Sequence, residues 1–520
     1  MDPAGELRRA DALHLDKNYL AAAEAYRCAL SGDASLIEAW YGLGCTGIAL
    51  RAYGEAAAAL RRAVALRPDA HGARCNLAEA LFALGEVDAA VAEYRRAAES
   101  EDPEIHAVAV ASIACIAPGA AGCDNAAVLA ARRRWVELAR RDVNLVRPNA
   151  NASRKLRVGY LSAFFAARNW MKFVWGVINQ HDRGRFEVHL LSDGPDFSVE
   201  DGYADHAEDR IWQIRGVPNA VLAQHIAAAG LDVLVDLNGY SEQHRLPLFL
   251  YRPARLQVSW MGMYGTTGVP EIDCLVGDDA VLPPEEEKFC CERVVRVPGS
   301  YLAFTVLYPV PEVAPPPSLA SGRVTFGCLA SAYKLTEPSI AAYARILHAA
   351  PTSRLLLRNR TLGEVSNWTV LLDRFARHGI VAERLMLEDG TEHFEFLRTY
   401  DRVDAALDTF PYNGGTTTAE ALWQGAPVLT YNGDRWAGRT SRSLLLAGGL
   451  DEFVAADQAG FEAAAIALAN APDTPRRLAV LRAGMRDRLR TSAACDVTAL
   501  CRSLEALYLN AAPAPKQTET

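Results

Sequence analysis

The sequence predicts an array of helical repeats followed by two α/β units in tandem. Small and aromatic residues recur at a fixed spacing through the first hundred positions. From Leu156 onwards, short apolar segments alternate with helical stretches, which is typical of a mainly parallel sheet covered on both faces. A Pro-rich break at 309–317 divides this alternation into two rounds.

The repeats have a period of 34 residues, which three aligned triplets show: Ala22, Tyr26, Ala29; Ala56, Leu60, Ala63; and Ala90, Tyr94, Ala97. Small residues where two antiparallel helices touch, with larger ones filling the groove, are typical of tetratricopeptide repeats. Each helix pair buries its apolar face only against the next pair, so the copies must stack. We therefore predict about three repeats over 1–104 and a helical linker region over 105–153. The alternative is one Ala-rich helical bundle without repeats.

Apolar segments of strand length predict the α/β units. They cover 156–163, 186–192, 231–237 and 256–260 in the first round, and 323–329, 354–358, 384–387, 403–407 and 427–431 in the second. We predict one unit at 154–308, a Pro-rich linker at 309–322, a second unit at 323–510 and a disordered tail at 511–520. Ligands of such sheets bind beyond the carboxyl ends of the strands.

Composition and charge exclude several classes of protein. The 520 residues carry 54 Lys and Arg against 63 Asp and Glu, a formal net charge of −9 that disfavours a generic nucleic-acid binder. No apolar run reaches the ~18 residues that a membrane span needs, and we see no secretory signal. The 11 cysteines form no C-x-x-C pair, so we predict no metal site and a reducing, cytoplasmic location.

Residues 407–423 hold the first candidate ligand site. An apolar strand ends at Leu407, and Gly414-Gly415 lead into three threonines and a helical pattern. Paired glycines let a backbone approach a ligand closely, and the first turn of a helix presents N–H groups and a positive dipole end that suit phosphate. The segment is not a Walker loop. An ordinary strand-to-helix turn with threonine capping remains the alternative.

Lys334 marks a second candidate ligand site. It follows the predicted strand 323–329 at its carboxyl end, where a lysine neutralises phosphate as a point charge. Thr336 and Pro338 predict that a helix starts directly after it. A solvated surface lysine remains the alternative interpretation.

A family resemblance rests on six blocks in a fixed order, completed by a short basic segment. The blocks are 156–162, 235–239, 252–258, 265–268, Tyr333-Lys334 and 408–423, and the completing residues are Gly433-Asp434-Arg435 with Arg439. Together with the repeats, they resemble glycosyltransferase family 41, the O-GlcNAc transferase-like and SPINDLY-like proteins. The resemblance extends over nearly the whole chain.

The resemblance implies a GT-B fold, in which two Rossmann-like halves face each other across a cleft. It implies a nucleotide-sugar donor and a Ser or Thr hydroxyl of a protein as acceptor; a UDP-sugar is the first candidate donor, and the nucleotide base stays open. It also implies inversion at the anomeric carbon, with neither a metal nor a cofactor. A leaving diphosphate gains negative charge as the glycosidic bond breaks, so fixed N–H groups and a lysine are the expected electrostatic help.

Donor-binding residues follow from the resemblance position by position. Lys334 is expected to contact the donor diphosphate, and Glu420 stands where the family has an acidic residue near the ribose. Arg439 belongs to the same donor-binding set. The helix start that binds the phosphates would be formed by Asn413, Gly414, Gly415, Thr416 and Thr417.

The chain departs from the family at several histidine positions. Arg168 replaces the histidine of a His-Pro type motif, Tyr240 follows Asn-Gly, and Trp436 stands at a further histidine position. Gly415 replaces a histidine of animal members. His393 lies where some members have a histidine. We therefore name Tyr240, Arg168 and His393 as catalytic candidates.

The identity of the general base stays open after these departures. A general base contributes about 10²–10⁴-fold, so losing one need not abolish turnover. Arg168 suggests a separate hypothesis, because an arginine pairs with a carboxylate of an acidic donor sugar. A structural salt bridge explains Arg168 equally well.

The sequence thus predicts a cytoplasmic, inverting protein O-glycosyltransferase whose repeats hold a polypeptide acceptor, with flagellin as one candidate. The alternative is a catalytically weak or inactive adaptor that keeps the fold. The missing histidines favour the adaptor, whereas the retained Lys334, Thr416, Thr417 and Arg439 argue against it. A transferase acting on lipid or polysaccharide is disfavoured, because the sequence has protein-binding repeats and no amphipathic membrane anchor.

Overall fold

The computed structural model describes residues 2–151, 153–241, 244–262 and 264–511. It divides into two compact units. The first unit contains residues 1–123, 316–412 and 458–479, and the second contains 124–315, 413–457 and 480–520. Ala511 ends the last helix, and the remainder of the tail predicted at 511–520 lies outside the described residues.

Seven helices form the repeat array of the first unit. They are α1 (Pro3–Leu15), α2 (Tyr19–Gly32), α3 (Ile37–Ala49), α4 (Tyr53–Leu66), α5 (His71–Ala83), α6 (Val87–Ala97) and α7 (Pro103–Ile116). The alanines that set the 34-residue period have no exposed surface where neighbouring helices pack, as at Ala22, Ala56 and Ala90. The predicted helical repeats are therefore confirmed at the level of secondary structure and packing.

The first unit also holds a parallel sheet. Its strands are β8 (Thr325–Cys328), β9 (Arg354–Arg358), β10 (Leu385–Glu388) and β11 (Ala405–Leu407), in the spatial order β10-β9-β8-β11. The helices of this part are α13 (Ser318–Ser321), α14 (Glu337–Ala349), α15 (Val365–Arg377), α16 (His393–Arg398) and α19 (Gln458–Asn470). α14 lies directly after β8, so the Lys334 turn occupies the loop at the carboxyl end of that strand.

The second unit contains a seven-stranded parallel sheet of order β3-β2-β1-β4-β5-β6-β7. The strands are β1 (Leu156–Ser162), β2 (Phe186–Ser192), β3 (Arg210–Gln213), β4 (Val233–Asp236), β5 (Leu256–Ser259), β6 (Cys274–Gly277) and β7 (Arg293–Arg296). β4 and β5 are buried along their whole length, as expected of central parallel strands.

Helices and a strand pair complete the second unit. The helices are α8 (Asn125–Ala139), α9 (Arg168–Met171), α10 (Trp175–Gln180), α11 (Asn219–Ala229), α12 (Leu246–Phe249), α17 (Thr416–Trp423), α18 (Thr440–Ala447) and α21 (Val497–Ala511). β12 (Val428–Tyr431) pairs in parallel with β13 (Val454–Ala455). Helix α20 (Thr474–Arg490) contributes residues to both units.

All nine predicted apolar segments contain a strand of the structure. The strands that the sequence did not predict are β3, β6, β7 and β13. β3 and β7 carry exposed or half-exposed residues, so they lack the continuous apolar run of a buried strand. β13 has only two residues, which is too short for a periodicity. β6 is buried throughout, and its length does not explain why it was missed, since β4 and β5 are equally short. Among the described residues, no helix combines the length and apolar character that crossing a membrane requires.

Candidate functional site

Lys334 lies in a short turn between β8 and α14 of the first unit. Its ammonium sits 4.2 Å from the centre of the Tyr412 ring, and the side chain is half-buried. Burial disfavours the charged form and lowers the Lys334 pKa to about 8, although the nearby Asp408 carboxylate acts in the opposite direction. The turn therefore holds a cation whose desolvation an anionic ligand would offset.

Hydrogen bonds to α14 fix the segment that carries Asp408 and Tyr412. The hydroxyls of Thr336 and Ser339 both donate to the carbonyl of Phe410, and the Phe410 N–H donates back to Ser339 at 3.0 Å. The Tyr343 hydroxyl donates to the Asp408 carbonyl at 2.9 Å. The segment that carries Asp408 and Tyr412 is thus held by α14 and by Thr336, which precedes it, so the groups beside Lys334 have a defined geometry.

The Gly-Gly-Thr segment belongs to the second unit, where α17 begins at Thr416. Gly415 occupies the capping position and offers no side-chain acceptor to the first turn. A Cβ atom at Gly414 would lie 2.4 Å from the Thr418 hydroxyl, and one at Gly415 would lie 2.6 Å from the Tyr264 hydroxyl. A side chain at either position would therefore force a neighbouring hydroxyl to move, and Tyr264 fills the space that a side chain at 415 would take.

Asn413 anchors the start of this segment. Its N–H donates to the Ala437 carbonyl at 2.7 Å, and its side-chain oxygen accepts from the Ser441 N–H at 3.3 Å. Ser441 in turn donates its hydroxyl to the Gly414 carbonyl at 3.1 Å. The loop before α17 is thereby tied to α18, which leaves the first turn of α17 in a fixed orientation.

Glu420 forms a buried ion pair that the sequence did not predict. The Lys172 ammonium lies 3.0 Å from a Glu420 carboxylate oxygen, and both side chains are almost fully buried. Burial lowers the Lys172 pKa, whereas the Glu420 charge raises it. The signal in the sequence was a single lysine within the apolar run 170–178. Lys172 thus holds the carboxylate of Glu420 in place, which the family resemblance predicts to lie near the ribose of the donor.

Arg439 is held by an acidic partner. Its guanidinium makes a two-point contact with the Glu286 carboxylate at 2.6 and 2.8 Å, and its Nε donates to the Gly433 carbonyl at 2.7 Å. Two-point arginine–carboxylate contacts are strong and geometrically specific. In this arrangement Arg439 holds the 433–439 loop in place.

Arg168 lies at the start of α9 and faces two carboxylates. Its Nε donates to Asp201 at 3.3 Å, and a second guanidinium nitrogen lies 3.8 Å from Glu200. These contacts are what the alternative interpretation of Arg168, a structural salt bridge, predicts. They also compete with any carboxylate of a sugar for the same guanidinium.

Tyr240 is buried beneath several rings of the second unit. Its hydroxyl donates to the Thr267 carbonyl at 2.7 Å, and the Arg132 guanidinium lies 4.3 Å from its ring centre. Trp135 and His244 pack against the same ring at 5.3 and 5.7 Å. The hydroxyl hydrogen is therefore engaged with the backbone in this arrangement.

His393 and Trp436 complete the set of predicted positions. His393 is the first residue of α16 in the first unit and is half-buried. Trp436 belongs to the second unit, where its indole N–H donates to the Tyr301 hydroxyl at 3.0 Å. The roles assigned to Tyr240, Arg168 and His393 remain predictions.

Tyr240→Phe separates a catalytic from a packing role. We expect the free energy of unfolding to fall by about 1 kcal/mol, because one buried hydrogen bond is lost. We expect kcat to stay within about threefold of wild type, because the Tyr240 hydroxyl hydrogen is engaged with the Thr267 carbonyl. Loss of a general base would instead lower kcat by about 10²–10⁴-fold. Chemical denaturation and initial-rate kinetics measure the two effects. A kcat loss of a hundredfold in stably folded protein would instead support the catalytic assignment.

One cluster of the second unit brings together ligand types that bind metals. His181 Nδ1, Cys501 Sγ and a Glu505 oxygen all lie within 4.8 Å of one another. His181 already contacts Glu505 at 3.0 Å and the Tyr160 hydroxyl at 2.6 Å, and Arg502 pairs with the other Glu505 oxygen. We interpret the cluster as a buried hydrogen-bonded network that packs α21 against α10 and β1.

The family model described as glycosyl transferase family 41 matches residues 134–305 and 317–504. These two stretches include most of the second unit and the Lys334 turn. The chain belongs to glycosyltransferase family 41. A tetratricopeptide repeat model also matches residues 48–111, within the repeat array of this family 41 protein.

Two groups of relatives resemble this family 41 protein. A lysine-to-methionine mutant of the Thermobaculum terrenum O-GlcNAc transferase has a similar structure, with a TM-score of 0.79, 30% identity and coverage of 98% of both chains. That similarity confirms the predicted class: tetratricopeptide repeats followed by a GT-B fold. The probable peptide N-acetylglucosaminyltransferases SPINDLY of Solanum lycopersicum and Arabidopsis thaliana are 31% and 30% identical over 68% and 69% of this chain. The matched region spans only 38% and 39% of their lengths.

Proposed function

We propose that this family 41 protein is a protein O-glycosyltransferase, which transfers a sugar from a UDP-sugar to Ser or Thr hydroxyls with inversion. The observation that carries the proposal is the desolvated Lys334 cation at the carboxyl end of β8. The full-length similarity to an O-GlcNAc transferase and the fixed start of α17 support it.

In the proposed reaction, the acceptor hydroxyl oxygen bonds to the anomeric carbon as the bond from that carbon to the diphosphate breaks. The hydroxyl proton leaves, and the diphosphate gains negative charge. Lys334 stabilises this charge, because a preorganised cation favours the state in which charge develops. In the second unit, the N-terminal dipole of α17 has the polarity that suits a phosphate. The pair of Lys172 and Glu420 holds a carboxylate ready to accept hydrogen bonds from ribose hydroxyls.

The acceptor is a polypeptide in this proposal, because stacked tetratricopeptide repeats offer an extended binding surface. Flagellin before export is one candidate for a reaction in the cytoplasm. The free state of all described cysteines is compatible with a reducing compartment.

Titration of the protein with UDP, GDP, CMP and dTDP by calorimetry tests the donor class. We expect UDP to bind, and we expect Lys334→Ala to lose most of that affinity. Binding of GDP would indicate a fucose-type donor. Binding of CMP would support the hypothesis of an acidic donor sugar, although Arg168 already pairs with Asp201. Folded protein that binds none of the four would support the adaptor instead.

The pH dependence of UDP binding tests the charge on Lys334. The charged form prevails below its pKa of about 8 and binds the diphosphate. The affinity should therefore be constant up to about pH 7 and fall about tenfold by about pH 9, as the ammonium loses its proton. Lys334→Arg should flatten this decline, because a guanidinium stays charged. An equal decline in both proteins would assign the titration to another group.

A further inference from the structure

The turns within the three helix pairs adopt the same backbone conformation. Lys17, Arg51 and Gly85 stand 34 residues apart, each in the middle of the turn that joins two helices. Their φ angles are +59°, +59° and +81°. Two non-glycine residues adopt this left-handed conformation, so the turn itself does not require glycine at position 85.

Gly85 is explained by what lies against it. A Cβ atom there would be 2.5 Å from the Leu335 carbonyl oxygen and 2.8 Å from that of Ala332. These two carbonyls flank Lys334 within its short turn. All of these residues belong to the first unit, so the α5–α6 turn of the repeat array packs directly on the backbone that carries Lys334.

Aromatic contacts continue from this turn towards the lysine. Phe82, near the end of α5, stacks on Tyr333 with ring centres 4.9 Å apart and planes inclined by 21°. Tyr333 meets Tyr412 edge-on at 6.3 Å, and Tyr412 is the ring beneath the Lys334 ammonium. A displacement of Phe82 would therefore be passed on to the neighbours of the cation.

A buried arginine joins the same two parts. Arg374 of α15 donates to the Leu84 carbonyl at 2.7 Å and to the Glu337 carboxylate at 3.3 Å. Glu337 is the first residue of α14, three positions after Lys334. The α5–α6 turn and the start of α14 thus share one hydrogen-bonding partner.

The preceding turn of the array docks elsewhere. Asn367 of α15 accepts from the Gly54 N–H at 2.9 Å and donates to the Arg51 carbonyl at 2.8 Å. A Cβ atom at Gly54 would lie 2.4 Å from the Ser366 carbonyl. Docking of the array on α15 therefore occurs at a second place, where the described residues show no contact of this kind with the Lys334 turn.

We propose that the α5–α6 turn, through Phe82 and Gly85, is a positioning element for Lys334, so that the acceptor-binding repeats set the affinity for the donor diphosphate. This inference rests on the proposed function of Lys334. Misplacing a binding group by about 1 Å costs up to about 10²-fold. We expect Gly85→Ala and Phe82→Leu each to weaken UDP binding about tenfold.

The test measures UDP affinity by calorimetry, with two matched controls. Gly54→Ala creates the same kind of clash at the other docking contact, and Lys17→Ala places alanine in the same turn conformation. Both controls should bind UDP within about twofold of wild type. Affinities for Gly85→Ala and Phe82→Leu that equal those of the controls would overturn the inference.

A double-mutant cycle with Lys334→Ala separates positioning from general damage. If the turn acts through Lys334, Gly85→Ala and Phe82→Leu should cause no further loss in the Lys334→Ala background. An undiminished loss in that background would overturn the inference. Should Gly85→Ala fail to fold, Phe82→Leu decides the question. Wild-type protein that binds neither UDP nor GDP, CMP and dTDP would contradict the proposed function and this inference with it.

Discussion

Replacing Lys334 with alanine should lower kcat/KM for sugar transfer by about 10²–10³-fold. That range is typical when one preorganised donor to a developing negative charge is removed. The loss should appear in kcat as well as in donor affinity, because the diphosphate carries more charge in the transition state than in the bound donor. Initial rates over a range of UDP-sugar concentrations measure both parameters.

Lys288→Ala is the matched control, since this lysine is exposed and belongs to the other unit. It should leave kcat/KM within about twofold of wild type.

Lys334→Met should lack activity yet unfold at a higher temperature than wild type at pH 7, because a desolvated cation is replaced by an apolar side chain. A Lys334→Ala protein whose kcat/KM stays within about tenfold of wild type would contradict the role of this cation.

Replacing Lys172 with methionine should lower the free energy of unfolding by about 3–5 kcal/mol. The change removes the ammonium from a pair that is almost fully buried and leaves the Glu420 charge in a poorly solvated place. Urea denaturation followed by circular dichroism measures the effect. The double variant Lys172→Met/Glu420→Gln should recover most of the loss, because no unbalanced buried charge remains.

The pair of Lys155 and Glu208 serves as the surface comparison. Its two charged atoms are 2.9 Å apart, but the side chains of Lys155 and Glu208 are 36% and 66% exposed. Lys155→Met should therefore change the free energy of unfolding by less than about 1 kcal/mol. If Lys172→Met were as mild as Lys155→Met, burial would not be what makes the pair of Lys172 and Glu420 important.

Repeats and strands could be predicted because their signals are local. The 34-residue period follows from small residues at helix crossings, such as Ala56, which has no exposed surface. The apolar runs of β1 and β9 mark buried strands directly. β3 could not be predicted from an apolar run, because two of its four residues, Arg210 and Gln213, are polar and exposed.

The partners of the site residues could not be predicted, because they depend on contacts distant in sequence. Glu420 was expected near a ribose, yet nothing in its own segment indicated Lys172, 248 positions away. Gly85 reads as an ordinary turn glycine until the Leu335 carbonyl is found against it. Tyr240 is a candidate because of its place after Asn-Gly, and only the fold reveals that its hydroxyl donates to the Thr267 carbonyl.

Detection of the transferred sugar on a polypeptide tests the proposed activity most directly. The protein is incubated with UDP-N-acetylglucosamine, or with the donor that the nucleotide titration selects, and a peptide library rich in Ser and Thr. Tandem mass spectrometry then locates the added mass, with Lys334→Ala as the blank. We predict one sugar residue on Ser or Thr side chains, formed by wild type and nearly absent with Lys334→Ala. Equal traces of product with both proteins, for every donor that binds, would contradict the assignment as a protein O-glycosyltransferase.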